Sequence, residues 1–349
     1  MYNRFAFLEM RTANHLIGDA EGLRAQMDED SYLLFRGLLD VEKVKDLRGQ
    51  MVKVLSKRGW VPPPQIPMST RCLITPLRED DEEYLAGYQD IQRLQPFHEL
   101  AHDEALLAVM RDVLGPTAFP HPLKIARLAF PDHFEASTPP HQDYPNNQGT
   151  ERLTAAWVPV VPIRGAMGGL AVLRGSHRAG LLPLARHLGA GNRCAVVSPE
   201  LQESCRWVTT DFDLGDVLLF PSLAVHAALD NADEFDMRLS VDFRYQCEGE
   251  ALTDIVLHPH FQRLSWDEIY AGWPEGGHRY YWKDLDYEVV PFEEYPLVNH
   301  DGSEEFTETQ MREIFDYTER VRVRSARRQA YFEAERAARE AAPGSSAPG

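Results

Sequence analysis

A histidine and a carboxylate stand two residues apart in Thr138-Pro139-Pro140-His141-Gln142-Asp143-Tyr144-Pro145, the stretch with the clearest capacity for chemistry. Proline fixes its own φ and pushes the preceding residue toward extended backbone, so Pro139 and Pro140 straighten the chain as it enters His141. In an extended chain residues i and i+2 project to one face. The spacing therefore predicts that His141 and Asp143 present an imidazole nitrogen and a carboxylate oxygen to a common point. Such a pair is two of the three ligands of a 2-His-1-carboxylate iron site. The chain has 13 histidines, and roughly one His-x-Asp match is expected by chance at average composition. The pair needs a third ligand from elsewhere.

That ligand should be a histidine well downstream, on a strand returning to the same end of the fold. His226 is the best candidate. It follows a tight turn at Leu214-Gly215-Asp216, an apolar strand Val217–Phe220 and a break at Pro221-Ser222. The other histidines have plainer readings. His98 and His102 fall in a helical region, His177 in the turn Arg174-Gly175-Ser176-His177, and His133, two before Glu135, in a loop opened by Pro131-Asp132. His258-Pro259-His260 keeps ligand-like spacing and stands as the rival, outside the strand-rich part of the chain.

Downstream of His226, Met237-Arg238-Leu239-Ser240-Val241-Asp242-Phe243-Arg244-Tyr245 alternates polar and apolar residues, the period of a strand with one apolar face. A polar face of this kind is usually solvent-exposed. Here it carries a guanidinium and a hydroxyl two residues apart, just after a candidate metal ligand. Arg238 can take a carboxylate through paired charge-assisted hydrogen bonds and Ser240 can add another, so the face reads as a seat for a dicarboxylate cosubstrate.

Several elements must position these groups. Helical spacing of Val41, Val44, Leu47, Met51, Val52 and Leu55 predicts a helix capped by Asp40, after a short strand Tyr32–Phe35 closed by Gly37. A second helical stretch runs from about Glu82 to Leu114, broken near Gln95-Pro96, with Asp103 as a cap and Gly115-Pro116 as its end. From Leu123 to about Gln246 the chain changes to short strands (Ile125–Phe130, Leu153–Val161, Gly169–Leu173, Val217–Phe220, Met237–Tyr245) separated by turn residues, which favours a β-sandwich or barrel. Residues 258–296 are dense in aromatics and read as irregular packing. From Ser303 to about Ala341 a charged helix is expected, with one apolar stripe (Met311, Ile314, Phe315, Val321) suited to a homo-oligomer contact, and residues 343–349 have a disordered composition. The expected organisation is an N-terminal helical region 1–122, a β core 123–250, an aromatic segment 251–302 and a C-terminal helix and tail 303–349.

Composition narrows the partners. The formal net charge of −18 repels nucleic acid phosphates, and no basic stripe offsets it. No run approaches the length of a membrane span, and the N-terminus Met1-Tyr2-Asn3-Arg4-Phe5 lacks a basic-then-apolar leader, so cytoplasmic residence is expected. The four cysteines (Cys72, Cys194, Cys205, Cys247) are irregularly spaced without CxxC and read as reduced thiols.

His141-x-Asp143, His226 and Arg238 in this order, with Gly168-Gly169-Leu170-x-Val172-Leu173-x-Gly175-Ser176-His177 between them, resemble the phytanoyl-CoA dioxygenase (PhyH) family, roughly over residues 30 to 247. The resemblance implies a mainly β fold with flanking helices around a double-stranded β-helix (jelly roll, cupin-like) core. It implies Fe(II) held by His141, Asp143 and His226, and 2-oxoglutarate whose distal carboxylate pairs with Arg238, assisted by Ser240. Lys124 or Arg127, on opposite faces of the preceding strand, is expected to reach the cosubstrate or an acidic group of the substrate. The implied reaction is hydroxylation of a small molecule, with 2-oxoglutarate and O2 converted to succinate and CO2. Asp143 bears on the outcome, since a small residue there would leave room for chloride and halogenation. Desaturation or cyclisation on the same scaffold, and a cupin-like metalloenzyme without 2-oxoglutarate, remain alternatives. Arg238 separates the last, which gives its guanidinium no task. The chain departs from the family in its extension after residue 250 and in Leu173-Arg174-Gly175-Ser176-His177, where Pro-Gly-Ser-His is common.

Overall fold

The computed structural model describes residues 7–63, 69–79, 81–134, 137–187, 193–274 and 276–298. The expected C-terminal helix, its proposed oligomer contact and the tail lie outside the described residues, as does Glu135.

In chain order the strands are β1 (Leu8–Glu9), β2 (Leu33–Phe35), β3 (Ala118–Pro120), β4 (Ile125–Ala129), β5 (Thr154–Pro159), β6 (Leu170–Arg174), β7 (Leu184–Arg186), β8 (Arg193–Ala195), β9 (Arg206–Thr209), β10 (Val217–Pro221), β11 (His226–Ala228), β12 (Arg238–Cys247), β13 (Ala251–Thr253), β14 (Glu288–Val290) and β15 (Leu297–Val298). Two sheets matter for the site. One is antiparallel in the order β2-β10-β5-β12-β3, with β4 also paired to β12. The other runs β1-β9-β6-β11 and gains a further antiparallel bridge from β11 to His141. The residues before position 123 supply β1, β2 and β3 to these sheets as well as helices.

The helices are α1 (Ala20–Asp30), α2 (Val41–Lys57), α3 (Glu82–Gln92), α4 (Gln95–Glu99) and α5 (Glu104–Leu114), then the short α6 (Tyr144–Asn147), α7 (Pro199–Ser204) and α8 (Trp266–Tyr270). Their starts follow the expected chemistry. The Asp40 carboxylate accepts from the Glu42 amide, and Asp103 accepts from Ala105. The apolar stripe of α2 (Val44, Leu47, Met51, Val52, Leu55) is buried in the main core, which it shares with the six-stranded sheet.

β12 is the spine of that sheet. Leu239, Val241, Phe243 and Tyr245 face the helices: the Phe243 ring lies 6.4 Å from Phe97, and the Tyr245 hydroxyl donates to the Ala101 carbonyl at 2.7 Å. The opposite face, Arg238, Ser240, Asp242 and Arg244, is as deeply buried as the apolar one. The usual solvent-exposed reading of such a face therefore fails here. The aromatic segment packs into its own cluster around Trp266, Tyr270, Trp273 and Trp282. It is tied back by the Trp273 indole donating to the Arg93 carbonyl and the Tyr281 hydroxyl donating to Pro120.

Candidate metal centre and cosubstrate seat

His141 and His226 face each other as a hydrogen-bonded cross-strand pair. The His141 amide donates to the His226 carbonyl at 2.9 Å, and the His226 amide returns the bond at 3.0 Å. Flanking bonds extend the register: Ala228 N–H donates to Thr138, and Ala195 N–H donates to Pro140. Pro139 and Pro140 thus occupy positions where only carbonyls are used, and their missing N–H groups cost nothing. The extended run ends sooner than the spacing predicts. Asp143 already has helical dihedrals (φ −74°, ψ −30°) as the residue before α6, and its carbonyl accepts from the Asn147 side chain at 2.8 Å. The turn into α6, rather than strand alternation, brings the carboxylate beside the imidazoles. Gln142 points away and is buried, spanning the carbonyls of Gly180 and Leu223 and the amide of Leu182.

One ligand atom from each of His141, Asp143 and His226 lies within 4.8 Å of the others, the one such group of three among the described residues. Each imidazole commits its Nδ1–H to a carbonyl, His141 to Pro139 at 2.8 Å and His226 to Ala224 at 3.0 Å. That fixes the tautomer and leaves each Nε2 lone pair free. The two Nε2 atoms lie 3.8 and 3.9 Å from Asp143 Oδ1. These separations are too long for hydrogen bonds and shorter than two metal–ligand bonds of about 2.0–2.2 Å laid end to end. Two neutral imidazoles and one carboxylate oxygen, with no mutual hydrogen bonds, fit a divalent first-row cation. Burial pushes His141 down to about 3 and lowers His226, so both are in the neutral, ligating form at neutral pH. The Asp143 carboxyl is held well below its usual range by the Arg244 guanidinium and the two imidazoles, which outweigh its burial.

Arg244 is the partner that sequence reasoning left without a role. Its Nη2 donates to Asp143 Oδ1 at 2.9 Å and its Nε to Oδ2 at 3.1 Å, and both side chains are buried. Its Nη1 donates to Asp242 Oδ2 at 2.9 Å, and the same oxygen accepts from Arg127 Nη2 at 2.9 Å. Two arginines and two aspartates thus neutralise one another in a chain ending at the carboxylate of the candidate triad. Burial is the signal that could have found it: a strand face closed to water cannot carry Asp242 and Arg244 unless each is paired.

Arg238 stands outside that chain. Its Nη1 donates to the carbonyls of Gly168 (2.7 Å), Leu229 (2.6 Å) and Met167 (3.3 Å). Among the described residues no carboxylate forms an ion pair with it, and burial pulls its pKa down to about 10. The carbonyl cradle depends on Gly168, whose φ of +59° and ψ of 137° suit glycine, and where a Cβ would fall 2.4 Å from the Asp230 carbonyl oxygen. Ser240 lies on the same face, its hydroxyl accepting from the Trp157 indole at 3.0 Å and keeping its own hydrogen to donate.

A cavity brings these groups together, lined by His141, His226, Arg127, Ser240, Arg238 and Arg244 and walled by apolar groups including Leu77, Tyr84, Leu128 and Phe130. Arg127 reaches it already paired with Asp242. Lys124 does not line it. Strand alternation turns Lys124 to the other side, where Nζ donates to the carbonyls of His121 and Pro122 and to the Tyr281 hydroxyl. The rival pair splits up: His258 is exposed and its ring is not drawn into the cluster, while His260 bonds the Tyr88 hydroxyl at 2.8 Å. His177 is held by Ser31 and Asp28 beside α1.

The chain is 28% identical over 251 residues to the 1-deoxypentalenic acid 11-beta-hydroxylase of Streptomyces arenae, covering 69% of this chain and 86% of that protein. It is 28% identical over 243 residues to the enzyme of the same name from Streptomyces exfoliatus, covering 66% and 82%. The structure of the epimerase SnoN in complex with Fe3+, alpha ketoglutarate and nogalamycin RO superposes with a TM-score of 0.47 at 19% identity, over 67% of this chain and 86% of that one. The family model for phytanoyl-CoA dioxygenase matches residues 27–238, more than half of the chain and a span holding His141, Asp143, His226 and Arg238. The chain belongs to the phytanoyl-CoA dioxygenase (PhyH) family.

Proposed function

We propose that His141, Asp143 and His226 hold Fe(II), that Arg238 takes the distal carboxylate of 2-oxoglutarate with Ser240 assisting, and that the two sheets form the halves of a double-stranded β-helix around them. The reaction class is that of the family and of the hydroxylases it resembles: the protein is a 2-oxoglutarate-dependent oxygenase acting on a small molecule, with O2 as co-reactant. One observation carries the assignment of roles. Both imidazoles of a three-donor cluster without internal hydrogen bonds, and a buried guanidinium with no ion pair among the described residues, open onto one cavity.

When bound, Fe(II) and 2-oxoglutarate supply oxidative decarboxylation to succinate and CO2 and the insertion of one oxygen atom into a substrate C–H bond. The chain supplies position and surroundings. His141 and His226 offer neutral Nε2 donors locked by their Nδ1–H bonds, and Asp143 offers one anionic oxygen. Arg238 and the Ser240 hydroxyl present donors to the far end of a dicarboxylate, where a buried cation gains most from an incoming anion. Leu77, Tyr84, Leu128 and Phe130 give the cavity an apolar wall, which supports an apolar small-molecule substrate. Arg238 also disfavours a metalloenzyme without 2-oxoglutarate, since its buried guanidinium would then keep no ion pair among the described residues. The cysteines are irregularly spaced without CxxC, which supports a reducing, cytoplasmic setting. No helix among the described residues is long and apolar enough to cross a membrane.

The test is incubation with Fe(II), 2-oxoglutarate and a panel of apolar small molecules in air, read by succinate release and by mass spectrometry for the gain of one oxygen. His226→Ala should abolish both signals. Absence of succinate with every substrate, or equal activity in His226→Ala, would sink the reading.

A further inference from the structure

We propose that Arg244 is a positioning residue that confines Asp143 to one-atom ligation through Oδ1, and so keeps a coordination position open for 2-oxoglutarate. The inference rests on the metal site proposed above.

A carboxylate beside a divalent cation can bind through one oxygen or two. In this chain both oxygens are already engaged by a planar fork, Nη2 on Oδ1 and Nε on Oδ2, in a buried pair with little room to rotate. Oδ1 is also the oxygen nearer to the two Nε2 atoms, at 3.8 and 3.9 Å. Swinging Oδ2 toward the same point would break the Nε bond and leave a buried donor unpaired. The fork is itself held from behind, because Arg244 Nη1 and Arg127 Nη2 share Asp242 Oδ2 at 2.9 Å each. Three protein donors leave three of six octahedral positions open, and a second oxygen from Asp143 would take one. A chelating cosubstrate and O2 together need all three.

Arg244→Lys keeps the charge but reaches only one carboxylate oxygen, which frees Asp143 to rotate. The experiment compares wild type and Arg244→Lys by Co(II) titration of the metal-free protein, followed by visible absorption and calorimetry, and then by 2-oxoglutarate titration of the Co(II)-loaded protein. The expected result is Co(II) affinity within about threefold of wild type, an altered Co(II) spectrum, and 2-oxoglutarate binding weakened by roughly 10-fold or more. Unchanged spectrum and affinities in the folded variant, or equal weakening of Co(II) and 2-oxoglutarate as a merely structural role would give, overturn the proposal. A crystal structure of the Co(II)-loaded wild-type protein gives a reading independent of the variant's folding. Asp143 bound through Oδ1 alone, with Arg244 still on both oxygens, is expected, and two-oxygen ligation overturns it. Failure of wild type to bind Co(II) at all would remove the metal site itself and the proposal with it, an outcome distinguishable from the others.

Discussion

Arg238 and Arg244 are two arginines on one strand face with opposite surroundings. Arg244 shares the charge of two aspartates, whereas Arg238 has three carbonyls and no ion pair among the described residues. Removing a buried cation whose nearby carboxylate, Asp230, forms no ion pair with it should cost the fold little, because its desolvation is relieved as its hydrogen bonds are lost. Arg238→Met is therefore expected to leave the melting temperature of the cosubstrate-free protein nearly unchanged while weakening 2-oxoglutarate binding by roughly 10–100-fold. Calorimetric titration on the metal-loaded protein checks this, and binding within threefold of wild type would assign the cosubstrate elsewhere. That His141, Asp143 and His226 cluster, with Arg238 on the same cavity, was legible in the sequence because order and spacing carry it. Arg244 was not, because alternation shows that two residues share a face but not whether that face is wet. The place of Lys124 was half legible: the strand period put it opposite Arg127, but only the folded chain shows that the opposite side is away from the cavity.

Among the elements, the link from β12 to the loop before β6 has the narrowest tolerance. Gly168 combines a positive φ with a carbonyl that must reach Arg238, and a Cβ there would strike the Asp230 carbonyl at 2.4 Å. Gly165, three residues earlier, also has positive φ (+45°), but a Cβ there would meet nothing within 4 Å. Gly168→Ala should cost about 1–3 kcal/mol and weaken 2-oxoglutarate binding, and Gly165→Ala should cost less and leave binding intact. Denaturant midpoints and 2-oxoglutarate titration on both variants decide it, and equal effects would count against the cradle. The longer strands and the capped helices α2 and α5 were readable from period and cap chemistry. The short β7 and β8 were not, because three residues are too few to show a period and their pairing comes from distant partners.

For the whole molecule, acid is the weak side. His98 and His121 are buried and neutral, and burial pushes them down to about 3 and about 4 from 6.5. Between those values and 6.5 the unfolded chain binds protons that the folded chain refuses, so stability falls as pH drops through that window. Below about 3 both states are protonated and the slope from these groups ends. At pH 5 the pair should cost a few kcal/mol relative to pH 7.5. Urea melts of the metal-free protein from pH 7.5 to 4.5 test this. Replacing His98 by Gln or Asn should flatten the slope, and a slope untouched by the change would exclude His98 as a source.

The backbone pairing of His141 with His226 carries one more consequence. A strand that slips by one residue turns every side chain to the opposite face. The two imidazoles can share a cation only when this one register is formed, so the metal favours a single alignment of the chain and none of its near misses. Loading with metal is thus also a proofreading event for the sheet. The centre that would activate oxygen pins together two segments that lie 85 residues apart in the chain.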